Sequence, residues 1–218
     1  MGAFLALPQA AAAQQAIESL GLTVTSTPLA ATDYLFRGVS QTRNRPAAQF
    51  TLDVEHESGL YVGAFVSNAN FLGTNIRQEV DGSFGYRFAV AGVKLDIGAT
   101  YFGYPGYEAP AGGFEAAWWE ATIRASYEIE PFKLVGLFAW SPNYNFESGN
   151  GFYLEGGVDI ALPAGFTLAG RLGYQWIDNN ARFGAPDYLA YSIYLTVPIR
   201  WGFSVGGGFY GTNISQAE

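Results

Sequence analysis

Between residues 22 and 211 the sequence divides into about eleven stretches of strand character, separated alternately by tight turns and by longer loops. Tight turns are expected at residues 57–59, 88–90, 128–131, 162–165 and 200–202. Longer loops are expected at 38–46, 71–75, 103–113, 141–151 and 178–186. An up-and-down antiparallel sheet with this punctuation carries its short turns at one end and its long loops at the other. That is how bacterial transmembrane β-barrels are built.

Composition narrows the class further. Of the 218 residues, 17% are aromatic and only 14% are charged, where a soluble domain carries about a quarter charged residues. Nowhere do about 18 apolar residues run together, so no helix of this chain is expected to span a membrane. A membrane protein with this profile must be a closed barrel, because lipid offers no other way to satisfy the backbone. The absence of cysteine rules out disulfides, thiol catalysis and cysteine-based metal centres. A net charge of −8 argues against a nucleic-acid partner.

The N-terminus reads as the remnant of a secretory signal over residues 1–13, with an apolar run (2–7) and small residues (10–13) ahead of Gln14. Residues 14–21 would be a lead-in, and 22–218 the barrel. The alternative for the start is a short helix running on through residues 17–20.

Alternation with period two is clearest in the C-terminal half. Leu189, Tyr191, Ile193, Leu195 and Val197 share one face, with Ala190, Ser192, Tyr194 and Thr196 on the other. Charges obey the same pleat: Asp33 with Arg37, Asp53 with Glu55, Arg77 with Glu79, Asp81 and Arg87, Lys94 with Asp96, Glu120 with Arg124, and Glu155 with Asp159. Phe50, Leu52, Ile97, Trp119, Ile123 and Leu154 take the opposite parity. With even odds for each charge after the first in a strand, such agreement arises about once in 250 trials.

A soluble barrel would turn its charges outward; an outer-membrane barrel turns them into the lumen. Three features favour the second. The polar face is sparse in charge and rich in Gly, Ser and Thr. The strands, at about 10–13 residues, suit a tilted crossing of a bilayer. Aromatic residues gather near strand ends, where interfacial girdles form. The lumen-lining candidates are the charges above together with Lys133 and Arg171. The girdle candidates are Tyr34, Phe36, Tyr101, Trp119, Tyr127, Trp140, Tyr174, Trp176, Trp201 and Phe209, with Phe102 beside them. Single-chain bacterial barrels have an even number of strands, so eleven suggests twelve with the last missing from this chain.

Specific runs carry a family resemblance. TDYLFRGVSQT (32–42), FAWSPNY (138–144), GGVDIALPAGFTL (156–168) and YQWIDNNARFGAPDYLAYSI (174–193) resemble, in order, blocks of the TorF family. These are outer-membrane proteins of Gram-negative bacteria classed as porins, also filed as an envelope family of unknown function. The resemblance spans residues 22–218. It implies an exported barrel and supplies no catalytic residue, cofactor or established solute. Family members continue past the equivalent of 214–215 into a further strand ending in an aromatic, which this chain lacks.

Enzyme chemistry finds little footing. His56, the single histidine, precedes Glu57 and Ser58 at a turn, and a solvated turn histidine explains it better than a hydrolase dyad. Without cysteine, only a carboxylate site for a hard cation could form. The pairs Asp53/Glu55, Glu79/Asp81 and Glu155/Asp159 could be acidic rungs. Ion pairing with Arg77, Arg87, Lys94, Arg124, Lys133 and Arg171 across strands is the better reading, since the two signs nearly balance. No metal or cofactor is expected. Glycine pairs such as Gly156-Gly157 lie inside strands and precede no helix, so they are not phosphate loops.

Two functions remain open. One is a narrow pore passing small solutes through a polar lumen, with Tyr61, Trp118, Tyr153 and Tyr194 as inward aromatics able to block it. The other is a closed structural or binding barrel whose outer loops (103–113 and 143–150) contact a partner. A soluble β protein is the third, weaker reading. The expected surroundings are outer-membrane lipid and small solutes; nothing in the sequence specifies an oligomeric state.

Overall fold

The computed structural model describes residues 3–4, 15–17 and 20–214. Most of the expected signal remnant therefore lies outside the described residues. Eleven long strands carry the fold: β1 (Leu22–Ala31), β2 (Ala47–His56), β3 (Leu60–Asn68), β4 (Gln78–Val90), β5 (Val93–Gly103), β6 (Trp118–Ile129), β7 (Phe132–Ser141), β8 (Gly151–Ala161), β9 (Thr167–Ile177), β10 (Tyr188–Pro198) and β11 (Ser204–Thr212). Each pairs antiparallel with its sequence neighbours in a continuous meander. Two short strands extend this sheet to thirteen: Gln15–Ile17 pairs with β1, and Ala3–Phe4 pairs with β11. Gln15–Ile17 is extended, so the alternative of a helix running through that segment does not hold. Its backbone pairs antiparallel with Leu22–Val24.

Turns and loops alternate as the sequence implies, with one shift. The turn expected at 88–90 lies at Ala91-Gly92, and Phe88, Ala89 and Val90 continue β4. Both turn residues have positive φ (50° and 82°). That geometry matches the right-handed twist of the flanking strands, and the sequence hides it because alanine is an unusual first residue there.

The sheet is strongly curled. Ala3–Phe4, seated on β11, also lies against β1 at the opposite end of the sheet. No β1–β11 ladder joins the two ends among the described residues. The loop between β1 and β2 runs into the curl. Within it Leu35–Phe36 and Val39–Ser40 form a small hairpin whose tip, Arg37-Gly38, has both φ positive (48° and 78°). The tip abuts β11: a Cβ on Gly38 would stand 2.7 Å from Thr212 Cγ2.

The faces are inverted relative to a soluble protein. The convex face exposes apolar side chains on strand after strand, among them Val62 (58%), Phe84 (54%), Leu154 (54%) and Leu172 (58%). The concave face buries Glu79 (2%), Glu120 (4%) and Gln175 (0%). Leaving such apolar residues in water forfeits about 1.5–3 kcal/mol each. A monomer in water rarely exposes more than a few hundred Å² of contiguous apolar surface.

Candidate functional site

The concave interior has two unlike halves. At the long-loop end it is filled by rings. Phe102 and Trp118, opposite one another on β5 and β6, stack at 4.1 Å with an interplanar angle of 4°. Phe36, from the inserted hairpin, packs edge-on against both, and Tyr144 meets Trp118 at 4.5 Å. Outer loops lock over this cluster. Asn145 Nδ2 donates to the Ala116 carbonyl (2.8 Å), and Arg182 donates to the Glu147 carbonyl while lying over the Phe114 ring.

Arg37 passes through the middle of the packing. Its Nη2 donates to both Glu120 oxygens at 2.7 and 2.6 Å, and its Nη1 donates to Gln175 Oε1 at 2.9 Å. The guanidinium lies 4.3 Å from the Tyr153 ring centroid. Burial disfavours its charge, but the Glu120 carboxylate overcomes that and holds the pKa above the ordinary arginine value. The left-handed backbone at Arg37 costs about 1–3 kcal/mol. The charge-assisted bonds at its far end offset that strain. One residue of the β1–β2 loop thus ties β6, β8 and β9 together.

Beside it, Tyr34 donates its hydroxyl to Glu79 Oε1 at 2.7 Å. Burial and the adjacent Glu79 carboxylate push its pKa well up. Asp33 accepts from Ser40 and Thr42 hydroxyls at 2.7 Å each and so shapes the hairpin.

These contacts correct several expectations. Asp33 and Arg37 lie beyond the end of β1 and belong to a folded-in loop, not to a strand wall. Arg77 precedes β4, is exposed, and donates to the neighbouring Ile76 carbonyl. Tyr34, Phe36 and Phe102 are interior plug residues, not girdle residues; the loop folds inward because Arg37 finds its anion there. Period-two parity governs direction only within the strands; Asp33, Tyr34, Phe36 and Arg37 lie past the end of β1, and Arg77 lies before β4.

The remaining girdle candidates do lie on the convex face or at its rim. Tyr101 faces Trp119 (5.0 Å between centroids), and Trp140 stands opposite Phe152, which stands opposite Trp176. The Tyr174 ring meets Trp176 at a tilt, 4.6 Å between centroids. Phe209 is exposed on β11. Tyr127 and Trp201 mark the turn end, where Trp201 is 83% exposed.

The turn-end half is open and charged. A cavity of about 570 Å³ is walled there by β2 and β4–β9. Arg87 anchors one side: it pairs with Asp53 (2.8 Å), Glu55 and Asp96 (3.4 Å), and its guanidinium lies 3.8 Å over the Tyr61 ring. Tyr61 lies flat because Gly85 and Gly98 leave it room; a Cβ on Gly98 would fall 2.4 Å from the Tyr61 hydroxyl oxygen. Arg171 pairs with Asp159, and Lys94 with Glu128 at 2.8 Å. Glu155 accepts from the Tyr153 hydroxyl at 2.7 Å. Arg124 donates to Thr122 Oγ1 at 2.9 Å, and Lys133 is half-buried. Glu79 and Asp81 lie higher in β4, buried among the loop-end residues.

Gln175 escaped the sequence reading. It shares the parity of Arg171, and a lone amide on an inward face was the available signal. The loop aromatics Phe71 and Tyr144 gave none, because their direction depends on how the loops fold; Tyr188 opens β10 and shares the inward parity of Ala190. His56 is half-buried at the end of β2, with Nδ1 2.9 Å from Ser58 Oγ. No cluster of three or more His, Cys, Asp or Glu suited to a metal occurs among the described residues.

No curated protein matches the chain. Among solved structures it is similar to Wzi of Escherichia coli, an outer membrane protein involved in group 1 capsule assembly and described as a carbohydrate-binding β-barrel. The identity is 11% and the TM-score 0.40, over 88% of this chain and 52% of that one. The chain thus spans about half of that protein, and the likeness is too loose to bear on function. The sequence profile of a bacterial family of unknown function, Gcw_chp, matches residues 15–218, and the chain belongs to that family.

Proposed function

We propose that the protein is an exported outer-membrane β-barrel, shut at its long-loop end, that binds with its outer loops and does not pass solutes freely. The observation that carries this reading is Arg37, bonded to Glu120 and Gln175 inside a packed set of rings. The inverted faces support lipid as the surroundings, and the TorF resemblance points the same way. β1 and β11 run parallel, since ten antiparallel steps separate them. Closure by antiparallel ladders therefore requires an odd number of strands between them, and one would make twelve. At the loop end a cup of about 310 Å³ is bordered by Phe36, Phe71, Tyr104, Trp118 and Phe183, with Arg43 and Asn70 at its edge. Rings with a polar rim suit a small ligand that has an apolar face. No catalytic step is part of this reading.

A narrow pore is the second reading, favoured by the open, charged turn-end cavity. Planar-bilayer recording separates the two. The closed barrel gives no current steps as wild type and gains them when residues 33–45 are replaced by a short Gly/Ser linker. Regular steps from the wild type would overturn closure and establish the pore. Fractionation tests the membrane itself: a mature chain that stays monomeric in water without detergent is not an outer-membrane barrel.

A further inference from the structure

The turn-end cavity gathers five of the eleven Lys and Arg residues of an acidic chain: Arg87, Lys94, Arg124, Lys133 and Arg171. Their partners are unevenly shared. Arg87 holds Asp53, Glu55 and Asp96, and Asp96 also accepts from the Tyr61 hydroxyl. Lys94 holds Glu128, and Arg171 holds Asp159.

Arg124 and Lys133 are left over. Arg124 stands between Asp96 on β5 and Leu137 on β7 in the cross-strand register; Asp96 is occupied by Arg87, and Leu137 offers nothing. Lys133 stands between Glu128 and Asp159, each bonded to another cation. Neither Arg124 nor Lys133 has a carboxylate within 4.0 Å among the described residues. Both border the same cavity, where Ser126, Val135 and Gly136 keep the wall low between them.

Carboxylates are interleaved with these cations around the lumen: Asp53 and Glu55 on β2, Asp96 on β5, Glu128 on β6, and Glu155 and Asp159 on β8. Glu155 accepts from the Tyr153 hydroxyl, and each of the others is held by Arg87, Lys94 or Arg171. Arg124 and Lys133 are therefore the cavity cations that no carboxylate neutralises by direct contact among the described residues.

We infer that Arg124 and Lys133 form a binding site for an oxyanion, the phosphate or carboxylate group of a small molecule entering from the turn end. Arg124 supplies the planar fork and Lys133 the second charge. A fork of N–H donors matches two oxygens of such a group, which the compact ammonium then flanks. The site is independent of closure at the loop end.

The test titrates the detergent-folded full chain at low ionic strength with inorganic phosphate, with acetate in a second arm, and with chloride as control, read by calorimetry. A third arm adds micelles containing phosphatidylglycerol, to separate a soluble ligand from a lipid headgroup. Phosphate or acetate is expected to bind saturably, and Arg124→Gln to weaken it about tenfold or more, as loss of a charged hydrogen bond does. Lys133→Gln is expected to weaken it less, and both variants to keep the heat-modifiable migration of a folded barrel. Arg200→Gln, an exposed cation of the β10–β11 turn that does not border the cavity, serves as the control. Binding unchanged in the folded double variant, or no saturable binding by the wild type, overturns the site. Competition by phosphatidylglycerol alone overturns a soluble ligand. Bilayer silence and phosphate binding are separate readouts, so either can fail without the other.

Discussion

The two ends of this barrel-like sheet use the same residue types in opposite ways. At the loop end, Arg37 and Glu120 are almost wholly buried, with 7% and 5% of their side chains exposed. At the turn end, Lys94 and Glu128 form an ion pair of similar length with 65% and 54% exposed. The chemistry is the same; the surroundings decide what it does. A desolvated pair whose partners are fixed is a lock, because neither charge tolerates losing the other. A hydrated pair rearranges at little cost and leaves neighbouring cations free for a ligand. Packed rings fill one end, and an open charged cavity occupies the other.

The sharpest way to break the comparison is Arg37→Ala. It leaves Glu120 charged and buried, which costs about 3–5 kcal/mol. The loop between β1 and β2 should then detach, seen as rapid cleavage between residues 32 and 46 by added protease while the strands stay protected. If that loop remains as resistant as in wild type, the lock is not Arg37. Next comes crowding at the other end: Gly98→Val forces the Tyr61 ring off its seat, costing about 1–3 kcal/mol as overpacking does. Loss of the Tyr61 platform should lower the thermal midpoint without freeing the loop.

Alkali tests the loop end without mutation. Burial and neighbouring carboxylates raise the pKa of Tyr34, and burial raises those of Tyr104 and Tyr144. A raised folded-state pKa contributes stability that is present below the unfolded value of about 10 and lost as pH climbs above it. The loop end should therefore loosen above about pH 10, with a late tyrosinate absorbance and protease sensitivity rising together. Protease sensitivity that is flat to pH 12 would contradict it. The smallest effects belong to the turn end. Arg87→Gln should cost about 1 kcal/mol or less, since that guanidinium is one-third exposed. Lys94→Gln should leave the thermal midpoint unmoved.

Much of the scaffold was legible because period two is a local property. Which residues of β9 and β10 share a face follows from the pleat alone, and the register confirms it, with Arg171 opposite Ser192 and Leu172 opposite Tyr191. The cross-strand pairing of Asp159 with Arg171 was readable for the same reason. Legibility failed where the pleat ended. Asp33, Tyr34, Phe36 and Arg37 were assigned faces as though β1 continued, yet a two-residue hairpin turns them inward. The turn at Ala91-Gly92 was displaced because its left-handed pair lacks the usual Asn-Gly signature.

The sequence by itself determined the eleven strands, their neighbours, the side on which charges lie and the end at which each connection falls. Those properties depend on residues close in the chain and on an alternation that survives any curvature. Only the tertiary structure decided that the loop end is filled and the turn end open. Arg37 meets Glu120 across 83 residues and Gln175 across 138. No local pattern encodes such a meeting, because it exists only once the sheet has curled far enough to bring β6 and β9 around a loop that left β1.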